Sequence, residues 1–150
     1  MDTVIGRPGG PVLVTMVERV SCYTLIALAA SKEAIAVGCA ILRAMHPHRE
    51  KVLTMTYDNG KEFAHHVLLA DLLDANAYFA HPYHSWDRGL NENTNGLIRQ
   101  YFPKRSCFAE LTDEEVALVQ NKLNSRPRKC LDYATPNDIF TAPPPIALAA

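Results

Sequence analysis

The chain has 150 residues, 48% of them hydrophobic and 21% charged, with a formal net charge of -1. That suits one soluble domain able to bury about two-thirds of its unfolded surface, and it provides no global attraction to nucleic acid, so any such binding must come from local patches. The longest apolar stretches, such as ALAASKEAIAVGCAIL, are broken by Lys32 and Glu33, which argues against a membrane span.

In chain order, DTVIG is a short extended piece ending in the turn signal GRPGG. PVLVTMVERV and CYTLIALA are rich in β-branched and apolar residues and read as neighbouring antiparallel strands. Ser31 is the expected N-cap of a helix on which Ala34, Val37, Ile41 and Leu42 recur at helical spacing, stopping near His46-Pro47. KVLTMTY is a fourth strand, apolar enough to lie mid-sheet, followed by the helix EFAHHVLLADLLDA and a short strand NAYFA. HPYHSWDRGLNE is a loop of breakers leading into NTNGLIRQYF, and TDEEVALVQNKLNSR is a last helix opened by a Thr112–Glu115 capping box. The segment 141–150 reads as a disordered tail. This order predicts an α/β domain over 1–140, a mixed sheet packed between helices.

Four scattered cysteines without CxxC spacing, and no signal peptide, point to reduced thiols in a cytoplasmic protein; Cys22 and Cys39 are expected to be small buried hydrophobes. His65-His66 and His81-x-x-His84 raise a zinc site, but no cysteine stands at ligand spacing.

Three carboxylates stand out. Asp58 closes a buried strand, where open α/β sheets generally place their sites, and Asn59-Gly60 would accept the positive φ of a sharp exit. Capping the next helix is its plainer role. Glu92 falls in the first turn of a helix, where the macrodipole favours negative charge whether or not the residue does chemistry. Asp2 lies on the first strand, which can pair with the fourth at the sheet centre. Three carboxylates meeting at one point repel unless a cation neutralises them, and oxygen-only ligands suit Mg²⁺ or Mn²⁺. Two such ions clamp the attacking and leaving oxygens of an in-line phosphoryl displacement.

TYDNGKEFA, YFAHPYHSWDRGLNENTNGLIRQYFPK and LNSRPRKCLDYATPNDIF resemble the catalytic core of bacterial insertion-sequence transposases of the IS-thirty family, over about Asp2 to Phe140. The resemblance implies an RNase H-like, retroviral-integrase fold with a five-stranded mixed sheet and helices on both faces. It implies a DDE-type transposase that cuts and joins DNA strands with two Mg²⁺ (or Mn²⁺) ions. Asp58 matches the family's second aspartate, Glu92 its glutamate with 33 residues between them, and Asp2, in MDTVIG, its first aspartate. DNA would be the partner, as insertion-sequence ends and target, with a homo-oligomer in the DNA complex and no membrane. The family's amino-terminal helix-turn-helix region has no counterpart here, so the chain is expected to be a core with Asp2 on a frayed strand beside a cationic terminal amine. Asp132 stands where the family often has glycine.

The candidate DNA contacts are Lys61, Arg88, Asn95, Arg99, Lys104, Arg105, Arg126, Arg128 and Lys129. Arg99 lies two helical turns beyond Glu92 and could hold a phosphate, with an ion pair as the alternative; Asn95 could support substrate or cap the helix. Tyr83 and Trp86 could stack on an unpaired base or anchor their loop. Two further readings compete with an active transposase core: a catalytically inactive fragment that binds DNA or a full-length transposase, and a general nuclease of the same fold.

Overall fold

The computed structural model describes residues 1–80 and 89–142. Strand β1 (Asp2–Ile5) turns through Arg7–Gly10, with Gly9 at φ +78°, into β2 (Val12–Val17). Asp2 pairs with Thr15 and Ile5 with Val12, so the first aspartate belongs to the ladder and the expected fraying is not observed. β2 pairs antiparallel with β3 (Thr24–Ala29). The connection between them is closed by Glu18, whose carboxylate accepts from the Val20 and Ser21 amides at 2.9 and 2.6 Å.

Helix α1 (Ala34–Met45) begins after Glu33, without a side-chain cap; Ser31 instead accepts from the Glu33 amide at 3.2 Å, so the predicted cap is displaced into the preceding turn. α1 runs into a 3₁₀ turn at His46–Lys51 containing Pro47. β4 (Thr54–Tyr57) pairs in parallel with β5 (Asn76–Phe79), and a 3₁₀ turn (Lys61–Phe63) and α2 (His66–Leu73) join them. The predicted helix over 62–75 is therefore split, its first turn being 3₁₀.

α3 (Gly89–Ile98) starts earlier than the expected Asn93 and contains Glu92 in its first turn. α4 (Asp113–Asn124) carries the predicted capping box in full: Thr112 Oγ1 accepts from the Glu115 amide at 3.2 Å, and Glu115 Oε2 accepts from the Thr112 amide at 3.0 Å. A short helix, α5 (Pro136–Thr141), was not predicted; its own capping box joins Thr135 and Asp138. Thr141 ends α5, so that part of the predicted tail is helical, while residues 143–150 lie outside the described residues.

Among the described residues the strands form two ladders, β1-β2-β3 and β4-β5, rather than one continuous sheet. They adjoin where the Met1 amine donates to the Thr56 carbonyl at 2.5 Å. β2 is buried along nearly its whole length because both faces are covered. Val12, Val14 and Met16 pack with Val37 and Ile41 of α1 and with Tyr57, Phe63 and Leu73. Leu13, on the other face, packs with Val4, Ile26, Ile98, Phe102 and Val119. Alternation along one strand thus assigns α1 and α2 to one layer and α3 and α4 to the other.

Candidate active site

β1 holds the centre of the site. Its Asp2 carboxylate accepts from the Thr3 amide at 2.7 Å through Oδ1 and from the Asn95 side-chain amide at 2.9 Å through Oδ2. Thr15, fully buried on β2, donates its hydroxyl to Asn95 Oδ1 at 2.9 Å and to the Asp2 carbonyl at 3.2 Å. Asn95 therefore satisfies both ends of its side chain on β1 and β2, which seats α3 against the ladder. Glu92 precedes Asn95 by three residues, so the two share one face of α3; Glu92 itself is exposed.

Asp58 is half-buried just past β4, and its Oδ1 accepts from the Gly60 amide at 3.0 Å. The chain leaves the sheet here without positive φ: Gly60 is extended at φ -73°, ψ 141°. The glycine leaves space instead, since a Cβ would meet the Glu62 carboxylate and stand 2.8 Å from Asp58 Oδ1, so that both side chains would have to shift. Asn59 donates to the Ala80 carbonyl at 3.1 Å, tying the exits of β4 and β5 together. Burial pushes the Tyr57 phenol, the last residue of β4, up to about 12.

Glu62, which the sequence did not single out, is only 7% exposed. It accepts from Thr3 Oγ1 at 3.1 Å and pairs with Lys32 Nζ at 3.1 Å. Burial alone would raise its pKa, but hydrogen bonds from its own amide, Lys32 and Thr3, with the lysine charge, hold the carboxyl below its ordinary value. The Thr3 contact fastens the Asp58–Glu62 turn to β1 just as Asn95 fastens α3. A helical reading of the segment gave no reason to bury this glutamate.

A cavity of about 280 Å³ is lined by Met1, Met16, Arg19, Met55, Thr56 and Asn91 among others, and by none of the three carboxylates. Met1 adjoins Asp2 and Asn91 adjoins Glu92, so the cavity borders the segments that carry two of the three carboxylates. Among the described residues, no group of three His, Cys, Asp or Glu lies close enough to hold a metal ion. The all-oxygen chemistry of Asp2, Asp58 and Glu92 nevertheless suits a hard divalent cation.

The basic candidates fall into two environments. Lys61, Lys104, Arg105, Arg126 and Lys129 are exposed. Arg99 is half-buried, burial lowers its pKa, and its Nη1 has no hydrogen-bond partner among the described residues. Arg128 is half-buried too, reaching the Leu123 carbonyl at 3.5 Å, and its Nε is likewise unpartnered. His81, Tyr83, His84, Trp86 and Arg88 lie outside the described residues. Asp132 has φ 50°, the left-handed region that glycine favours. Cys22 is buried as expected, but Cys39 is exposed. Among the described residues, no helix is long and apolar enough to cross a membrane.

No model of a known protein family matches the chain. It is 46% identical over 140 residues to the transposase for insertion sequence element IS4351 of Bacteroides fragilis, covering 93% of this chain and 43% of that protein. It is 41% identical over 129 residues to transposase InsI for insertion sequence element IS30A of Escherichia coli K12, covering 85% and 34%. Among solved structures, the catalytic core domain of BIV integrase aligns with a TM-score of 0.68 at 22% identity, over 93% of this chain and 90% of that one. A chain of the simian T-cell lymphotropic virus intasome in complex with PP2A regulatory subunit B56 gamma aligns at 0.74 and 20% identity, over 99% and 56%. At these identities the structural likeness establishes the fold, an α/β fold of the RNase H-like, integrase-core type. The chain spans less than half the length of the curated relatives it matches. Over 85–93% of its length, the chain is similar to insertion-sequence transposases, that of IS30A among them.

Proposed function

We propose that the chain is the catalytic core of a DDE-type DNA transposase, with Asp2, Asp58 and Glu92 as its metal-binding carboxylates. The observation that carries this reading is the pair of ties onto adjacent residues of β1. Asn95 holds the helix bearing Glu92 to Asp2, and Glu62 holds the turn bearing Asp58 to Thr3. Two carboxylate-bearing elements are thereby fastened to the start of the strand that bears the third.

Two divalent ions, Mg²⁺ or Mn²⁺, would neutralise the carboxylates and supply the Lewis acidity that displacement at phosphorus needs. Asn95 and the Thr3 amide fix the orientation of Asp2, and the Gly60 amide that of Asp58, so these acceptors need little reorganisation on loading. Water would attack the phosphodiester for cleavage and a DNA 3′-hydroxyl for strand transfer, each releasing the displaced 3′-oxygen. Arg99, half-buried one residue past α3, would reach a backbone phosphate. Lys61, Asn95, Lys104, Arg105, Arg126, Arg128 and Lys129, with Arg88, complete the proposed DNA contacts.

The finer architecture belongs to the same proposal. The Met1–Thr56 bond is where a β1–β4 rung would fall, so β3-β2-β1-β4-β5 would form a single mixed sheet. The partners would be insertion-sequence ends and target DNA in the bacterial cytoplasm, gripped by a homo-oligomer. Calorimetric titration with Mn²⁺, beside a DNA nicking assay, tests the site. Binding and nicking by the wild type should both be lost in Asp58→Asn and Glu92→Gln. Nicking that survives Asp58→Asn would refute the assignment, whereas DNA binding by a folded wild type that takes up no Mn²⁺ would favour the inactive, DNA-binding reading.

A further inference from the structure

Cys22 and Cys130 are 108 residues apart in sequence, yet their sulfurs stand 3.8 Å from each other. Cys22 lies in the β2–β3 connection at φ 58°, only 8% exposed. Cys130 is exposed in the 3₁₀ turn Lys129–Leu131. Both segments are held by hydrogen bonds of their own. The Cys22 carbonyl accepts from the Thr24 hydroxyl, and the Thr24 amide donates to Asn124 Oδ1 at 2.9 Å. Around Cys130, the Arg128 amide donates to the Ala134 carbonyl at 3.0 Å, and the Arg128 carbonyl accepts from the Leu131 and Tyr133 amides at 3.0 Å. Two ordered segments thus present a buried and an exposed thiol to each other.

We propose that Cys22 and Cys130 form a thiol–disulfide exchange site that takes small disulfides of the glutathione type and closes into an intramolecular disulfide. The exposed Cys130 thiolate attacks one sulfur of oxidised glutathione, whose S–S bond breaks as one glutathione leaves. Cys22, as its thiolate, then attacks the Cys130 sulfur, forming the protein S–S bond and displacing the second glutathione. The two protein thiols lose two electrons and two protons in all, and the two glutathione thiols receive them. Burial raises the Cys22 thiol, with Cys130 adding to that and Arg128 opposing it, so the first attack falls to the exposed Cys130 and the resolving step to the sulfur 3.8 Å away. The closed bond would tie the β2–β3 connection to the turn Lys129–Leu131, directly after the basic segment Arg126–Lys129. The chemistry itself does not depend on the transposase reading; only the consequence for that basic segment does.

The test incubates the full chain with oxidised glutathione, traps free thiols by alkylation, and maps unreduced peptides by mass spectrometry. The expected product is a peptide pair linked through Cys22 and Cys130, while Cys22→Ser should instead accumulate glutathione on Cys130. Wild-type protein that keeps glutathione on Cys130 without closing, or links Cys39 or Cys107 in preference, would overturn the proposal. The wild-type product decides the matter even if the variant fails to fold, and it is read without any DNA or metal.

Discussion

At the scale of single residues, the site rests on side chains that do no chemistry. Asn95 joins Asp2 to Thr15 across three elements, and both ends of its amide are used. Replacing it by alanine removes two hydrogen bonds, to Asp2 Oδ2 and from the Thr15 hydroxyl, which costs about 1–3 kcal/mol. Asn95→Ala should show that loss in urea unfolding, together with Mn²⁺ binding weakened about 10–100-fold, because the orienting donor is gone. Glu62 makes a pH prediction. Its folded pKa lies below the ordinary value of 4.5, so its contribution is complete above that pH and is lost as pH falls through the folded value. The stability gap between wild type and Glu62→Gln should therefore shrink from pH 7 towards pH 3; a constant gap would show that the Lys32 and Thr3 contacts carry no linkage. Asp58 and Glu92 could be placed from the sequence, one at the end of a strand and the other in the first turn of a helix, because both boundaries have local signals. Glu62 could not, since a glutamate in a helical pattern reads as solvated until the chain is seen to fold it against β1.

Among elements, local chemistry was legible and long-range chemistry was not. The Thr112–Glu115 box lies within four residues and was found; Ser31 satisfied the same preference but is spent on the turn before α1. Gly60 was expected for its positive φ, but its backbone is extended, and a Cβ there would displace the neighbouring Glu62 and Asp58 carboxylates. The largest omission is how α4 covers the outer edge of β3. Asn124, 1% exposed, accepts from the Thr24 amide at 2.9 Å and donates to the Thr24 carbonyl at 2.8 Å, as a neighbouring strand would. Gln120 accepts from the Ile26 amide at 2.8 Å. Two side-chain amides thus satisfy an edge that would otherwise invite pairing with another chain. Contacts spanning 100 residues leave no periodic trace, and Asn124 reads in sequence as an ordinary polar helix end. Asn124→Ala strands the buried Thr24 groups, so the unfolding midpoint should drop by the equivalent of about 1–3 kcal/mol. A variant as stable as wild type would show that water replaces the amide there.

For the whole molecule, charge is the deciding quantity. A net charge of -1 cannot steer the protein to DNA from a distance, so the proposed affinity would have to come from local cations such as those exposed after α3 and α4. Each phosphate neutralised releases condensed counterions, and the logarithm of the binding constant falls with that of salt at a slope of about -0.9 per contact on duplex DNA. Arg126 and Lys129 are exposed on either side of the half-buried Arg128, whose side chain is engaged with the end of α4. Alanine at both exposed positions should therefore make the slope shallower by about two and weaken binding equally on unrelated sequences, leaving the fold intact. Measured by fluorescence anisotropy across a salt series, an unchanged slope would mean that this segment does not touch the phosphates. The contacts would then have to come from Lys61, in the turn after β4, and from Lys104 and Arg105, after α3.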